Sequence, residues 1–232
     1  MTRLSVNVNK VATLRNARGA NNPNLVEVVR DCEKYGADGI TVHPRNDERH
    51  ITLRDVYDIA SIVKTDFNIE GYPDKRFLKI IDDIVPEQVT LVPDPPEVLT
   101  SNRGWKKSDI KIDLKKIIKH IQSLGSKVVI FIDPEKEMLE YIKEMGADRV
   151  ELYTGTYASE YVKNREESIR DYVKVSNYAK EIGIGVNAGH DLDLNNLKYL
   201  KESIPFIYEV SIGHSLILSL IHISEPTRQP II

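Results

Sequence analysis

Two stretches far apart in the chain follow one pattern: Tyr35-Gly36-Ala37-Asp38-Gly39-Ile40-Thr41-Val42-His43 and Met145-Gly146-Ala147-Asp148-Arg149-Val150-Glu151-Leu152-Tyr153. Glycine ends a helix because it enters the left-handed region without a Cβ penalty, and a buried, β-branched run then reads as strand. A helix turning this directly into a buried strand is the αβ joint of a parallel sheet, so the chain is confined to α/β architectures.

Taken in order, the expected strands are Leu4 to Val8, Gly39 to His43, Phe67 to Glu70, Gln88 to Val92, Lys127 to Ile132, Arg149 to Tyr153, Gly185 to Ala188 and Glu209 to Ile212. Helices are expected between them: Pro23 to Tyr35, Leu53 to about Lys64 behind a Thr52 cap, Asp74 to Ile84, Asp113 to Leu124, a run ending at Met145, Glu166 to Ile182 and Leu194 to Ser203. The polar run from Asn9-Lys10 to Gly19 is read as loop, and so is the long Pro/Gly-containing segment from Pro93 to Ser108 that carries Thr100 and Trp105. Eight strands alternating with helices favour a closed (β/α)8 TIM barrel over an open doubly wound sheet. The first strand is followed by no Gly-x-Gly-x-x-Gly, and no Walker-type loop is present.

Length and composition agree with one domain, since 232 residues with 41% hydrophobic content can bury a single sizeable core. The barrel is expected over residues 1–217. Residues 218–232, beginning Leu218-Ser219-Leu220-Ile221-His222-Ile223, read as a translated sequencing-library adaptor, which implies a non-native tail and a truncated or replaced last helix. With 32 Lys and Arg against 35 Asp and Glu, the net charge of −3 gives no electrostatic case for nucleic acid or an anionic membrane. Small-molecule partners fit better. A single cysteine, Cys32, and the lack of a charged-then-apolar leader point to the cytoplasm. No apolar run approaches the ~20 residues that span a bilayer.

Chemistry-bearing residues gather at the expected strand ends: Asn7, His43, Glu70, Asp133, Glu151, Asn187 with His190, and His214. In a barrel these positions open on the C-terminal face, where catalytic groups collect. His43, His50, His190 and His214 all fall at or just after strand ends. Gly39 to Arg45 delivers an imidazole and, two residues on, a guanidinium to one such end. A metal site is the rival reading, but the first strand carries no His-x-His and no helix carries His-Glu-x-x-His. Ala188-Gly189-His190-Asp191 and Ser211-Ile212-Gly213-His214 follow strands seven and eight, where barrels commonly offer backbone N–H groups to phosphate. Arg18, Arg45 and Arg49 add guanidiniums suited to phosphate. The plainer alternative is that these glycines serve tight turns and the arginines are solvated. Glu70 and Glu151 would project into the mouth among apolar neighbours, either as groups with raised pKa that exchange protons or as ionised partners of Lys10 or an arginine.

With Val6-Asn7, Ala12-Thr13-Leu14-Arg15-Asn16-Ala17-Arg18-Gly19, Gly36 to His43, Arg49-His50-Ile51, Leu91-Val92-Pro93, Val186-Asn187-Ala188-Gly189-His190 and Ile212-Gly213-His214, the chain resembles the pyridoxine 5′-phosphate synthase family from residue 4 to about 217. That resemblance implies a cytoplasmic TIM barrel, a homo-octamer assembled from dimers, and a transferase that needs no metal or cofactor. The implied reaction condenses 1-deoxy-D-xylulose 5-phosphate with 3-amino-2-oxopropyl phosphate to pyridoxine 5′-phosphate, phosphate and water. It implies proton transfer by His43, Glu70 and His190 and transition-state stabilisation by Glu151. Asn7, Asn9, Lys10, Arg18, Arg45, His50, Thr100, Asp191, Gly213 and His214 would contact the phosphorylated substrates. The chain departs from many family members at Asn9-Lys10, where Asp-His is common, and at Asp191, where glycine is common. Two other readings are a different phosphosugar lyase or isomerase on the same barrel, and a phosphate-binding barrel that is catalytically impaired.

Overall fold

The computed structural model describes residues 1–93 and 103–218. Eight parallel strands, β1 (Arg3–Asn7), β2 (Gly39–Val42), β3 (Asp66–Gly71), β4 (Gln88–Leu91), β5 (Lys127–Ile132), β6 (Arg149–Tyr153), β7 (Gly185–Gly189) and β8 (Glu209–Ile212), pair in sequence order. The ring closes where Val6 of β1 lies opposite Ile212 of β8. Helices α1 (Asn9–Arg18), α2 (Leu25–Lys34), α3 (Leu53–Ala60), α4 (Lys75–Ile84), α5 (Leu114–Ser123), α6 (Lys136–Met145), α7 (Gly155–Tyr161), α8 (Arg165–Glu181) and α9 (Leu197–Ser203) connect them. The expected (β/α)8 barrel is therefore the observed fold. No described helix is long and apolar enough to cross a membrane.

Strand parity sorts the side chains. Ile40, Val42, Phe67, Ile69, Val89, Leu91, Ile130, Ile132, Val150, Leu152, Val186, Ala188, Val210 and Ile212 are buried in the apolar core shared with the helices. The alternate positions turn inward and are largely polar. Ser5 bonds Thr41 at 2.7 Å, Asn68 donates to Thr41 at 3.2 Å, and Thr90 donates to Asn68 at 3.0 Å. Across the barrel, the Gln88 amide donates to Glu209 at 2.9 Å, and Arg149 donates to Gln88 at 2.7 Å. Many barrels fill this space with branched apolar residues; here a hydrogen-bonded polar column supports the floor of the mouth.

Helix starts follow side-chain capping. Thr52 and Asp55 form a reciprocal capping box at α3, Asp74 accepts from the Phe77 N–H, and Asp113 accepts from the Lys116 N–H. Two expectations need correction. The run from Asn9 to Gly19 is helix, not loop: only Val11 and Ala12 are buried along it, too few to give a helical hydrophobic period. The Asn7 side chain accepts from the Asn9 N–H at 3.0 Å at its start, and Gly19 closes it at φ +66°. Helix α7 (Gly155–Tyr161) is likewise absent from the expected elements; it is tied down by Tyr157, whose hydroxyl donates to the Asn196 carbonyl at 2.7 Å. Trp105 lies in a loop as expected, and it is buried there: its indole N–H donates to the Leu91 carbonyl at 2.9 Å and its ring stacks on Tyr72. Thr100 and residues from 219 on lie outside the described residues.

Candidate active site

A cavity of about 390 Å³ opens at the C-terminal mouth, and the inward parity of the strands delivers most of its walls. Asn7, His43, Glu70 and Glu151 come from β1, β2, β3 and β6 or the residues just beyond them. His190 and Asp191 follow β7, and Gly213 and His214 follow β8. Asn9 and Lys10 open α1, while Arg45, Arg49 and His50 lie between β2 and α3. Thirteen of the fourteen proposed site residues are described, and twelve of these line one cavity. Arg18 does not: it is exposed near the end of α1. Asn187, read from sequence as a rim group, lies one layer deeper, where its amide reaches Gln88 and Glu209 at 3.4 and 3.5 Å. Asp133 is likewise not part of the wall. Ser211, which opens the turn expected to hold phosphate, lines the cavity too, and Thr13, Val92 and Phe131 are lining residues that the sequence patterns do not mark as site residues. Inward parity on β5 would have found Phe131; Thr13 required knowing that α1 is a helix.

His43 sits at the centre. Its backbone N–H donates to the Asn9 side chain at 2.9 Å, which fixes the strand end. Its Nδ1 lies 3.9 Å from Glu70 Oε2, and the Asn7 amide donates to that same oxygen at 3.4 Å. Burial holds the imidazole pKa well below the ordinary range, and Arg45, His50 and Arg49 push it the same way. The ring is thus neutral, with a lone pair available to take a proton. His50, 6.3 Å away between ring centroids, is also lowered, to about 4, by burial and then by Arg45 and Arg49. The Ile51 N–H donates to His50 Nδ1 at 2.9 Å, so the neutral ring carries its proton on Nε2. His50 is therefore set as a neutral donor.

Glu151 behaves in the opposite sense. It is 3% exposed, and burial, followed by the nearby Glu70 and Glu209 carboxylates, raises its pKa well above 4.5. This favours the protonated acid over the ion pair weighed from sequence. Gly189 makes room for it, since a Cβ there would stand 2.2 Å from Glu151 Oε1. A carboxyl whose folded pKa exceeds its unfolded value costs stability as pH rises above the unfolded value, because the folded state then holds the extra proton. Glu151→Gln is accordingly expected to flatten the decline of Tm between about pH 5 and 8. Parallel Tm-against-pH curves for the two proteins would remove that assignment.

A (β/α)8 barrel whose mouth gathers neutral imidazoles, a protonated carboxyl, an adjacent carboxylate and several cations defines an enzyme of general acid/base chemistry acting on anionic small molecules. Solved structures agree on the fold alone. An HpcH/HpaI aldolase from Desulfitobacterium hafniense is 14% identical with a TM-score of 0.59, covering 99% of this chain and 94% of its own. A phosphoribosyl anthranilate isomerase is 12% identical with a TM-score of 0.58, covering 93% of this chain and 88% of its own. Sequence comparison goes further. The chain belongs to the family described as pyridoxal phosphate biosynthesis protein PdxJ, which it matches over residues 4–223. It is 53% identical to the pyridoxine 5′-phosphate synthase of Cytophaga hutchinsonii over 96% of this chain and 93% of that one. It is 51% identical to that of Porphyromonas gingivalis over 99% and 97%.

Proposed function

We infer that this chain is a pyridoxine 5′-phosphate synthase, a transferase that condenses 1-deoxy-D-xylulose 5-phosphate with 3-amino-2-oxopropyl phosphate to pyridoxine 5′-phosphate, phosphate and water. The observation that carries this for the site is the confluence of His43, Glu70, Glu151 and His190 in one cavity flanked by cations. Imine formation, phosphate loss, carbon–carbon closure and dehydration each move protons, so several acid/base groups are needed rather than one nucleophile. Neutral His43 acts as base toward a carbon- or nitrogen-bound proton, with the Glu70 carboxylate beside it able to support the imidazolium that forms. Protonated Glu151 donates a hydrogen bond to oxygen that gains charge in the transition state. His190 returns protons to departing oxygen.

Two phosphates call for two anion-binding regions. Arg45, with Arg49 and the His50 Nε2–H, supplies one wall; Lys10 and the Ser211–His214 turn supply another. Gly213 suits that turn because a Cβ would stand 2.8 Å from the Asn7 carbonyl oxygen, so the backbone can lie close to the mouth. Holding both substrates together supplies much of the acceleration by positioning alone. Family membership supports Arg18 and Thr100 as further substrate contacts, the cytoplasm as the compartment, and a homo-octamer built from dimers as the assembly, which sedimentation measures directly.

Purified protein given both substrates should form pyridoxine 5′-phosphate without added metal or cofactor. Turnover of one phosphorylated substrate alone would instead indicate a lyase or isomerase. Arg45→Ala should raise KM for a phosphorylated substrate by roughly 10- to 100-fold with a smaller change in kcat, as expected for loss of a charge-assisted contact. An unchanged KM would refute the phosphate-binding role of Arg45.

A further inference from the structure

The turn after β7 has an unusual backbone. His190 and Asp191 both take positive φ, +89° and +57°, a region that side chains with a Cβ rarely adopt. Neither is glycine, so the surroundings must hold the turn. The Thr154 hydroxyl reaches the Gly189 carbonyl at 2.7 Å and the His190 carbonyl at 2.6 Å, the Thr154 N–H donates to the Gly189 carbonyl at 2.9 Å, and the Asn196 amide donates to the Asp191 carbonyl at 3.1 Å. Thr154 itself is fully buried. In this turn the Asp191 side chain folds back onto the preceding ring, bringing Oδ2 to 2.9 Å from His190 Nδ1. The Tyr153 ring meets the same imidazole edge-on at 4.9 Å. His190 is therefore held by a carboxylate on one edge and an aromatic ring on another, at the wall of the cavity.

Resting on the synthase reading of this cavity, we propose that Asp191 is a positioning residue for His190: its carboxylate fixes the imidazole tautomer and sustains the imidazolium, so that protons are exchanged through Nε2. An ionised carboxylate only accepts hydrogen bonds, so Nδ1 carries the proton and Nε2 is the nitrogen that trades it with substrate. The hydrogen bond from His190 keeps the Asp191 pKa below its ordinary value, and His214 adds to this, which agrees with an ionised partner. This division of labour is that of a base and its orienting group. It assigns Asp191 a role other than direct substrate contact.

Charged and titratable groups around the pair set the size of the effect. They are His214 beyond β8, Tyr153 on β6 and Asp133 beyond β5. The pair is partly open to water, so its coupling is moderate.

The test uses the full chain with 15N-labelled histidine. In the wild type, the neutral His190 ring should be protonated on Nδ1, and Asp191→Asn should move part of that population to the Nε2-protonated tautomer, since an amide keeps the shape but can itself donate to Nδ1. Because this readout needs no turnover, it stands or falls separately from the synthase assignment. In kinetics, Asp191→Asn should lower kcat by roughly 3- to 10-fold with KM for both substrates within about 2-fold. Asp191→Gly, which relieves the positive φ, should fold at least as stably and show the same kinetic loss. An unchanged His190 tautomer in Asp191→Asn, or a loss confined to KM, would overturn the proposal.

Discussion

Replacing His43 by alanine is expected to lower kcat for pyridoxine 5′-phosphate formation by ~10²- to 10⁴-fold, the range for removing a positioned general acid or base. Among the described residues, no other group in the cavity combines its features: a neutral imidazole held well below its ordinary pKa by burial, 3.9 Å from a carboxylate oxygen, at the end of a rigid strand. The fold should survive, because what anchors this strand end is the His43 backbone N–H to Asn9, which alanine keeps. Circular dichroism and Tm check the fold, and steady-state kinetics with both substrates checks the chemistry. A loss under about 10-fold would move the base elsewhere, with His190 next to be tested.

The second large effect concerns stability. Arg15 of α1 grips Asp55 of α3 with both guanidinium nitrogens, at 2.5 and 2.8 Å, and both side chains are only about a tenth exposed. Burial alone would raise the Asp55 pKa, but the Arg15 hydrogen bonds together with the Thr52 N–H and hydroxyl outweigh it and bring the value down. Asp55→Ala strands a largely buried guanidinium and also removes the α3 capping box. Breaking a buried pair costs 3–5 kcal/mol when fully desolvated, and partial exposure here reduces that to about 2–4 kcal/mol. For a domain of this size the expected fall in Tm is roughly 5–15 °C. The effect should reach activity indirectly, because α1 begins with Asn9 and Lys10 at the cavity. A Tm within about 2 °C of wild type would show that this pair is solvated in solution.

How much of this was legible in advance differs element by element. Glycine-ended helices running into β-branched strands gave the barrel and, with it, the end of the molecule where His43, Glu70, Glu151 and His190 meet. Helix α1 was hidden because its contacts with the core reduce to Val11 and Ala12, while its other positions are polar. Helix α7 was hidden for a related reason: it is short, and what holds it is hydrogen bonding by Tyr157 and Tyr172 rather than an apolar stripe.

Local sequence determined which residues form strands and, through the two-residue period of a strand, which of them point into the barrel. The height of each inward residue along the barrel axis was decided only on closure, because the stagger between neighbouring strands is a property of all eight together. That is why Glu151 and Asn187, directly paired in register, have different fates: Glu151 lines the cavity, whereas Asn187 belongs to the buried column below it. The protonation preferences arose at the same stage, since the burial and neighbouring charges that keep His43 neutral and Glu151 protonated come from residues distant in sequence.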